Sequence, residues 1–141
     1  MRFVDECSWG LVSRQHIAKL DPRLALICNT VIRVIPRRLD HKLTCSFRGK
    51  DEQELAFKTG VSEKRWPESK HNRFPATALD FLPLPFESRD WQDFTRFGRI
   101  IGFYEAVSLE LDIPIITGSD WDMDGKTIDH KLQDLCHIEL R

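Results

Sequence analysis

His71, Asp80 and His137 of this 141-residue chain are residues of types that bind metal ions, and they lie in segments that can converge. His71 lies in a loop that precedes a predicted strand, Asp80 lies on that strand, and His137 begins the predicted last strand. Zinc takes imidazole and carboxylate donors, and a catalytic zinc usually has three protein ligands and one open position. The three residues are therefore candidate ligands of one catalytic metal ion.

Asp80 is the least ordinary of the three candidates. It stands between Leu79 and Phe81 in an apolar segment, where a carboxylate is costly unless it is paired or bound to a cation. A single histidine, by contrast, is usually a surface residue or a hydrogen-bonded core residue. Residue type alone therefore leaves a structural explanation open for His71 and His137.

The pattern of apolar and turn-forming residues predicts an α+β fold, with helices packed against a small antiparallel sheet and the metal site at the sheet face. Helices are predicted at 13–20 with Ser13 as a cap, from Pro22 to the stop at Pro36, at 50–58, and at 90–111 with Asp90 as a cap. Strands are predicted at 42–47, 77–82, 113–117 and 137–141, with loops at 61–76 and 118–134. The length fits one domain over residues 1–141.

Composition excludes several classes of protein. The net charge is −1, divided as +5 in residues 1–70 and −6 in residues 71–141, so bulk charge does not indicate nucleic acid or an anionic membrane as a partner. No apolar run is long enough to insert in a membrane, and the N-terminus lacks the apolar stretch of a Sec signal peptide. Four cysteines without a C-x-x-C pair argue against a zinc ribbon or a disulfide framework, and favour reduced thiols and cytosolic synthesis.

Three separated motifs follow one another along the chain. Ser69-Lys70-His71 comes first, Ala78-Leu79-Asp80 second, and Asp134 stands three residues before His137. This S-x-H, A-x-D and acidic-x-x-His pattern resembles the LAS-type zinc peptidases, which include D-alanyl-D-alanine carboxypeptidases and phage L-alanyl-D-glutamate endopeptidases. The similarity is closest to the single-domain phage endolysins and extends over nearly the whole chain. Three motifs in order are far more specific than a lone H-x-D pair.

The resemblance implies that His71, Asp80 and His137 hold one zinc ion per chain. One departure concerns the spacer between His71 and Asp80, which holds eight residues and is longer than the common family form. Pro75 and Ala76 stand where glycine is expected.

The resemblance also implies roles for residues that do not bind the metal. Asp134 matches the catalytic acid–base residue, and Arg48 matches an arginine near the substrate carboxylate or the developing oxyanion. Ser69 matches a motif serine that orients its loop beside the substrate, and Trp121 matches a tryptophan that lines the site. Cys136 stands where Pro or Gly is more usual, and on a strand its side chain would point away from the metal.

The implied function is hydrolysis of the L-alanyl-D-glutamate bond of cell-wall stem peptides by zinc-activated water. We expect a monomer that is made in the host cytoplasm and reaches the wall through a holin or on the virion. Two alternatives stay open: a D-alanyl-D-alanine carboxypeptidase or dipeptidase, and a noncatalytic zinc-stabilised wall-binding or virion protein. Asp134 discriminates against the second, because a binding module has no need of it.

Other candidate sites are weaker. No G-x-S-x-G elbow supports a serine nucleophile. Residues 120–125 begin like an EF-hand loop, but the twelfth position is Lys131 instead of a bidentate Glu, so an EF-hand is excluded and only a looser cation site stays open. We expect His130 to be exposed, with a substrate contact left open, and His16 and His41 to lie at the surface.

Overall fold

The computed structural model describes residues 6–128 and 134–141. Within them, helices and strands follow in the order α1 (Leu11–Ile17), α2 (Pro22–Val34), β1 (His41–Cys45), α3 (Lys50–Lys58), β2 (Ala78–Pro83), α4 (Phe94–Leu111), β3 (Ile115–Thr117) and β4 (His137–Leu140). The strands form one sheet in the order β1-β2-β4-β3, and every neighbouring pair is antiparallel. The predicted α+β class is confirmed.

One face of the sheet carries the hydrophobic core, over which α2 and α4 pack. Leu79 and Phe81 of β2 are fully buried there, and Phe81 contacts the rings of Phe97 and Tyr104 on α4. Successive side chains of a strand point to opposite faces, so Asp80 is directed to the other face. No helix in the described part of the chain has the length and apolarity needed to cross a membrane.

A β-bulge in β1 changes which residues share the Asp80 face. Leu43 pairs with Phe81, whereas Cys45 pairs with Asp80, and the register shifts between these two pairs. A bulge places two residues of one strand against one of its partner. Because of that extra residue, Cys45 lies beside Asp80 and not in the core with Leu43.

The first helix differs from its predicted position. It spans Leu11–Ile17 with Gly10 as its N-cap, instead of 13–20 with Ser13 as cap. Ser13 is buried inside the helix, and its hydroxyl accepts a hydrogen bond from the Leu43 backbone N–H at 3.1 Å. The serine therefore fastens α1 to β1.

The last helix begins four residues later than predicted. Asp93 is its cap and accepts from the Arg96 N–H, while residues 88–92 form a separate 3-10 turn. Asp90 closes that turn by accepting from the Glu87 N–H at 2.7 Å. Trp91 stacks on Phe97 but remains 41% exposed.

The prediction that His41 lies at the surface is wrong. His41 begins β1 on its core face and is 2% exposed, with Nε2 2.7 Å from the Tyr104 hydroxyl. Burial lowers the pKa of His41 to about 4. His16 is also not a free surface residue, because it is half-buried with Nδ1 3.2 Å from the Ser46 hydroxyl.

Candidate metal-dependent active site

The register of the central strands brings two of the candidate ligands together. Asp80 of β2 stands directly opposite His137 of β4, and opposed residues of an antiparallel pair lie on the same face. Asp80 Oδ1 is 3.1 Å from His137 Nδ1. Leu79 and Ile138 alternate with them and are fully buried in the core.

The third candidate comes from a short 3-10 turn, Lys70–Asn72, inside the predicted loop 61–76. Ser69 caps this turn, and its hydroxyl accepts from the His71 N–H at 3.2 Å. The Asn72 side chain completes the cap by accepting from the Ser69 N–H at 3.1 Å. The turn holds His71 Nε2 3.3 Å from Asp80 Oδ2, so Asp80 contacts both candidate histidines, one through each of its oxygens.

Each histidine is held through the nitrogen that does not face Asp80. His71 Nδ1 lies 2.8 Å from the Ser46 carbonyl oxygen, to which it can only donate. His137 Nε2 lies 3.0 Å from Glu139 Oε2. These acceptors turn His71 Nε2 and His137 Nδ1 toward Asp80, which is how outer partners orient metal-binding histidines.

The site attracts positive charge. Burial is the largest single effect and lowers the pKa of both histidines. Hydrogen bonds to Asp80 and to Cys45 or Glu139, with the charge of Asp80, together outweigh it, so the pKa rises to about 10 for His71 and about 9 for His137. Burial raises the pKa of Asp80, but the two histidines more than reverse this effect, so the pKa of its carboxyl group lies far below the usual range. A cation between these groups would take the place of those protons.

The ligand atoms form two overlapping groups in which all atoms lie within 4.8 Å of one another: Cys45, His71 and Asp80, and Asp80, Asp134 and His137. Asp80 belongs to both groups. Cys45 is not predicted as a site residue, and its Sγ lies 3.6 Å from His71 Nδ1. Only the β1 bulge places it there, and the alternation of residues 42–47 carries no sign of that bulge.

The two groups open into a cleft of about 530 Å³. Its lining includes the predicted residues Arg48, Ser69, Trp121 and Asp134, together with Trp91, Cys136 and Glu139, which were not predicted to line the site. The Trp121 ring lies 5.5 Å from the His137 ring, centroid to centroid. All seven predicted site residues therefore lie in or around one cleft.

Cys136 does not point away from the site as predicted. It lies in the turn before β4, not on the strand, and its thiol donates to Asp134 Oδ1 at 3.2 Å. Burial raises the pKa of this thiol far above its usual range, so it stays protonated. It is in neither group of ligand atoms within the described residues.

Arg48 reaches the site from the segment after β1 and is held by a buried glutamine. Its Nη1 donates to Gln53 Oε1 at 3.2 Å, and its Nη2 lies 4.0 Å from Asp80 Oδ2. Gln53 is fully buried and also donates to the Lys64 carbonyl, on the cleft wall. Gln53 was not predicted as a site residue, and its signal in the sequence is its place on the buried face of α3.

A sequence model of the family described as phage L-alanyl-D-glutamate peptidase matches residues 7–141. The chain belongs to this family. The L-alanyl-D-glutamate peptidase of Escherichia phage T5 is 25% identical over 135 residues, which cover 94% of this chain and 96% of that protein. The crystal structure of the Serratia marcescens L-Ala D-Glu endopeptidase ChiX has a TM-score of 0.71 at 17% identity, with 98% of this chain and 92% of that chain covered. At that identity the likeness shows the fold alone.

The long spacer of this phage-type peptidase is accommodated by pairing with the segment before α2. The Ala76 N–H donates to the Lys19 carbonyl at 2.8 Å, and the Ala76 carbonyl accepts from the Asp21 N–H at 2.8 Å. Ala76 is fully buried, so a small residue suits this position. The extra length therefore leaves the Lys70–Asn72 turn and β2 close together.

The acidic loop of the peptidase brings Asp120, Asp122 and Asp124 within 4.8 Å of one another through their ligand atoms. Backbone N–H groups of the same loop donate to Asp120 and Asp124. The predicted exposed His130, and Lys131, lie outside the described residues. A looser cation site at this loop stays a prediction.

Proposed function

We propose that this protein hydrolyses the amide bond between L-alanine and D-glutamate in peptidoglycan stem peptides, as a zinc-dependent peptidase. The observation that carries the proposal is the family match over residues 7–141 combined with a metal-type donor set inside an open cleft. The substrate is the one printed in the names of the similar proteins from Escherichia phage T5 and Serratia marcescens.

The donor set fits zinc. Two imidazole nitrogens and one carboxylate are the ligands that catalytic zinc takes, and both rings already have an outer hydrogen-bond partner. His71, Asp80 and His137 would hold one ion per chain. When bound, zinc lowers the pKa of a coordinated water toward ~7 and polarises the scissile carbonyl.

The remaining cleft residues act on the substrate and on protons. The Asp134 carboxylate takes a proton from the attacking water and passes it to the leaving amine. The Cys136 thiol, which donates to Asp134 Oδ1 at 3.2 Å, orients that carboxylate. Arg48 stabilises the developing oxyanion, while Ser69 and Trp121 line the substrate.

The oligomeric state and the place of action complete this proposed function. The chain works as a single domain and a monomer, on the wall, after synthesis in the host cytoplasm. Release through a holin and carriage on the virion are both compatible with this mechanism.

Digestion of purified peptidoglycan tests the function. Mass spectrometry of the new termini should show free L-alanine carboxyl and D-glutamate amino groups, which chelation abolishes and added zinc restores. Release of terminal D-alanine would indicate a carboxypeptidase instead. Binding to the wall without any new termini would indicate the noncatalytic alternative and overturn the proposal.

A further inference from the structure

We propose that Glu139 and Lys70 are positioning residues that together fix the His137 ring with Nδ1 turned to the metal. The inference rests on the proposed zinc site and concerns two residues outside the predicted ligand set. Neither residue needs to touch the substrate or the metal.

Glu139 lies where it can orient His137. The two residues are separated by one position on β4, so their side chains share a face, and Glu139 Oε2 is 3.0 Å from His137 Nε2. Glu139 is only 9% exposed. A carboxylate at this depth is costly without compensating partners, and among the described residues the His137 ring is one of its two partners.

Lys70 is the other partner, and it links two ligand segments. Its Nζ lies 3.3 Å from Glu139 Oε1 and donates to the Leu140 carbonyl at 3.1 Å. Lys70 directly precedes His71 in the Lys70–Asn72 turn. The ion pair therefore connects the turn that bears one histidine to the strand that bears the other.

The contact decides which nitrogen of His137 is available. The Glu139 carboxylate can only accept, so it holds a proton on Nε2. A metal ion that displaces the second proton would then meet Nδ1, which faces Asp80 at 3.1 Å. A carboxylate acceptor also makes the imidazole a stronger donor to a metal ion. A merely structural ion pair would stabilise the fold without affecting either property.

The test compares Glu139→Ala, Glu139→Gln and Lys70→Ala with wild type. Zinc affinity is measured by chelator competition, and long-range ¹H–¹⁵N NMR of the zinc-loaded protein reports which His137 nitrogen carries the proton. Glu139→Ala should lose roughly 10- to 100-fold in zinc affinity, the range typical of outer-partner mutations. Glu139→Gln keeps an acceptor oxygen, so it should retain the Nε2–H ring and most of the affinity, and Lys70→Ala should fall between them.

Glu54→Ala is the matched control, because Glu54 also has an ion pair, with Arg65 at 2.7 Å, but does not line the cleft. It should bind zinc as wild type does. If Glu139→Ala and Lys70→Ala keep wild-type zinc affinity and ring signals and lose only melting temperature, the pair is structural and the inference is wrong. Wild-type protein that binds no zinc would overturn the proposed metal site itself, and this inference with it.

Discussion

At the scale of single residues, Asp80 connects the two groups of ligand atoms in the candidate site. Its two oxygens face different histidines, at 3.3 Å from His71 and 3.1 Å from His137, and Arg48 lies 4.0 Å away. A carboxylate is tolerated in this apolar strand segment because these cationic or proton-bearing partners surround it. Mutations of the residues around Asp80 can therefore separate their roles.

His137→Ala and Asp134→Asn should separate metal binding from proton transfer. His137→Ala removes a candidate ligand, so zinc, activity and stability should fall together. Asp134→Asn keeps the side-chain shape and should retain zinc and fold while losing about 100- to 10,000-fold in turnover, the usual contribution of an acid–base group. Zinc content and wall-lysis rate are measured on both variants.

Two results would contradict this division of roles. An Asp134→Asn enzyme with near wild-type lysis would exclude Asp134 as the proton carrier. Since Asp134 shares a group of ligand atoms with Asp80 and His137, loss of zinc as complete as in His137→Ala would instead make Asp134 a ligand.

Arg48→Ala should reduce turnover more than folding. The Arg48 side chain is 14% exposed, lines the cleft and is held by Gln53, so its loss removes a fixed charge from the site. Loss of one oxyanion donor costs on the order of 100- to 1,000-fold. Lysis rates and melting temperatures are compared with those of Arg23→Ala, because the Arg23 side chain is 62% exposed at the start of α2. An unchanged lysis rate would remove Arg48 from the mechanism.

At the scale of elements, the end of β3 positions Asp134 beside the candidate ligands Asp80 and His137. The Asp134 N–H donates to the Gly118 carbonyl at 2.9 Å, and the Gly118 N–H donates to the His137 carbonyl at 2.9 Å. A β-carbon at Gly118 would overlap the Asp134 carbonyl oxygen and lie 2.8 Å from its Cβ. The aspartate side chain is short, so the position of this backbone sets how far the Asp134 carboxylate reaches.

Gly118→Ala should therefore displace Asp134 and lower turnover on the order of 100-fold, the effect expected of a misplacement of about 1 Å. Zinc content should change little. Gly102→Ala is the matched control, because a β-carbon there meets nothing within 4 Å and alanine in a helix is better than glycine by about 1 kcal/mol. Lysis rate and melting temperature are measured on both. Full activity of Gly118→Ala would show that the strand end does not position Asp134.

At the scale of the whole molecule, the buried His41 makes the stability of the fold depend on pH. Its pKa is about 4 in the folded chain against 6.5 for an unperturbed histidine, so the unfolded chain binds the additional proton. The stability that this difference contributes is fully present above pH 6.5 and is lost as the pH falls toward 4. The difference corresponds to about 3 kcal/mol.

His41→Phe should flatten this part of the pH dependence. The ring keeps its edge contacts with Trp9, Phe81 and Tyr104 but loses the titrating nitrogens and the contact with the Tyr104 hydroxyl. Denaturant unfolding of metal-free protein between pH 4 and pH 7 should show a smaller loss for the variant than for wild type. Equal slopes would place the His41 pKa near its ordinary value in the folded state.

The sequence by itself determined the features that follow from local periodicity, namely the class of fold and the face of each strand on which a side chain lies. The spacing of apolar residues indicated the α+β class, and the helix Lys50–Lys58 has the predicted bounds. Strand alternation is also local, and it places Asp80 and His137 on the polar sides of their strands. By the same alternation Glu139 could have been found beside His137.

Only the tertiary structure decided which of these residues meet. Cys45 reaches Asp80 through a register shift between strands, and Lys70 reaches Glu139 across 69 residues of chain. His41 became a core residue because β1 begins on its buried face. The nitrogen that each histidine presents depends on acceptors from other segments. Such contacts depend on the pairing of distant segments, whereas local sequence periodicity specifies only the face on which a side chain lies.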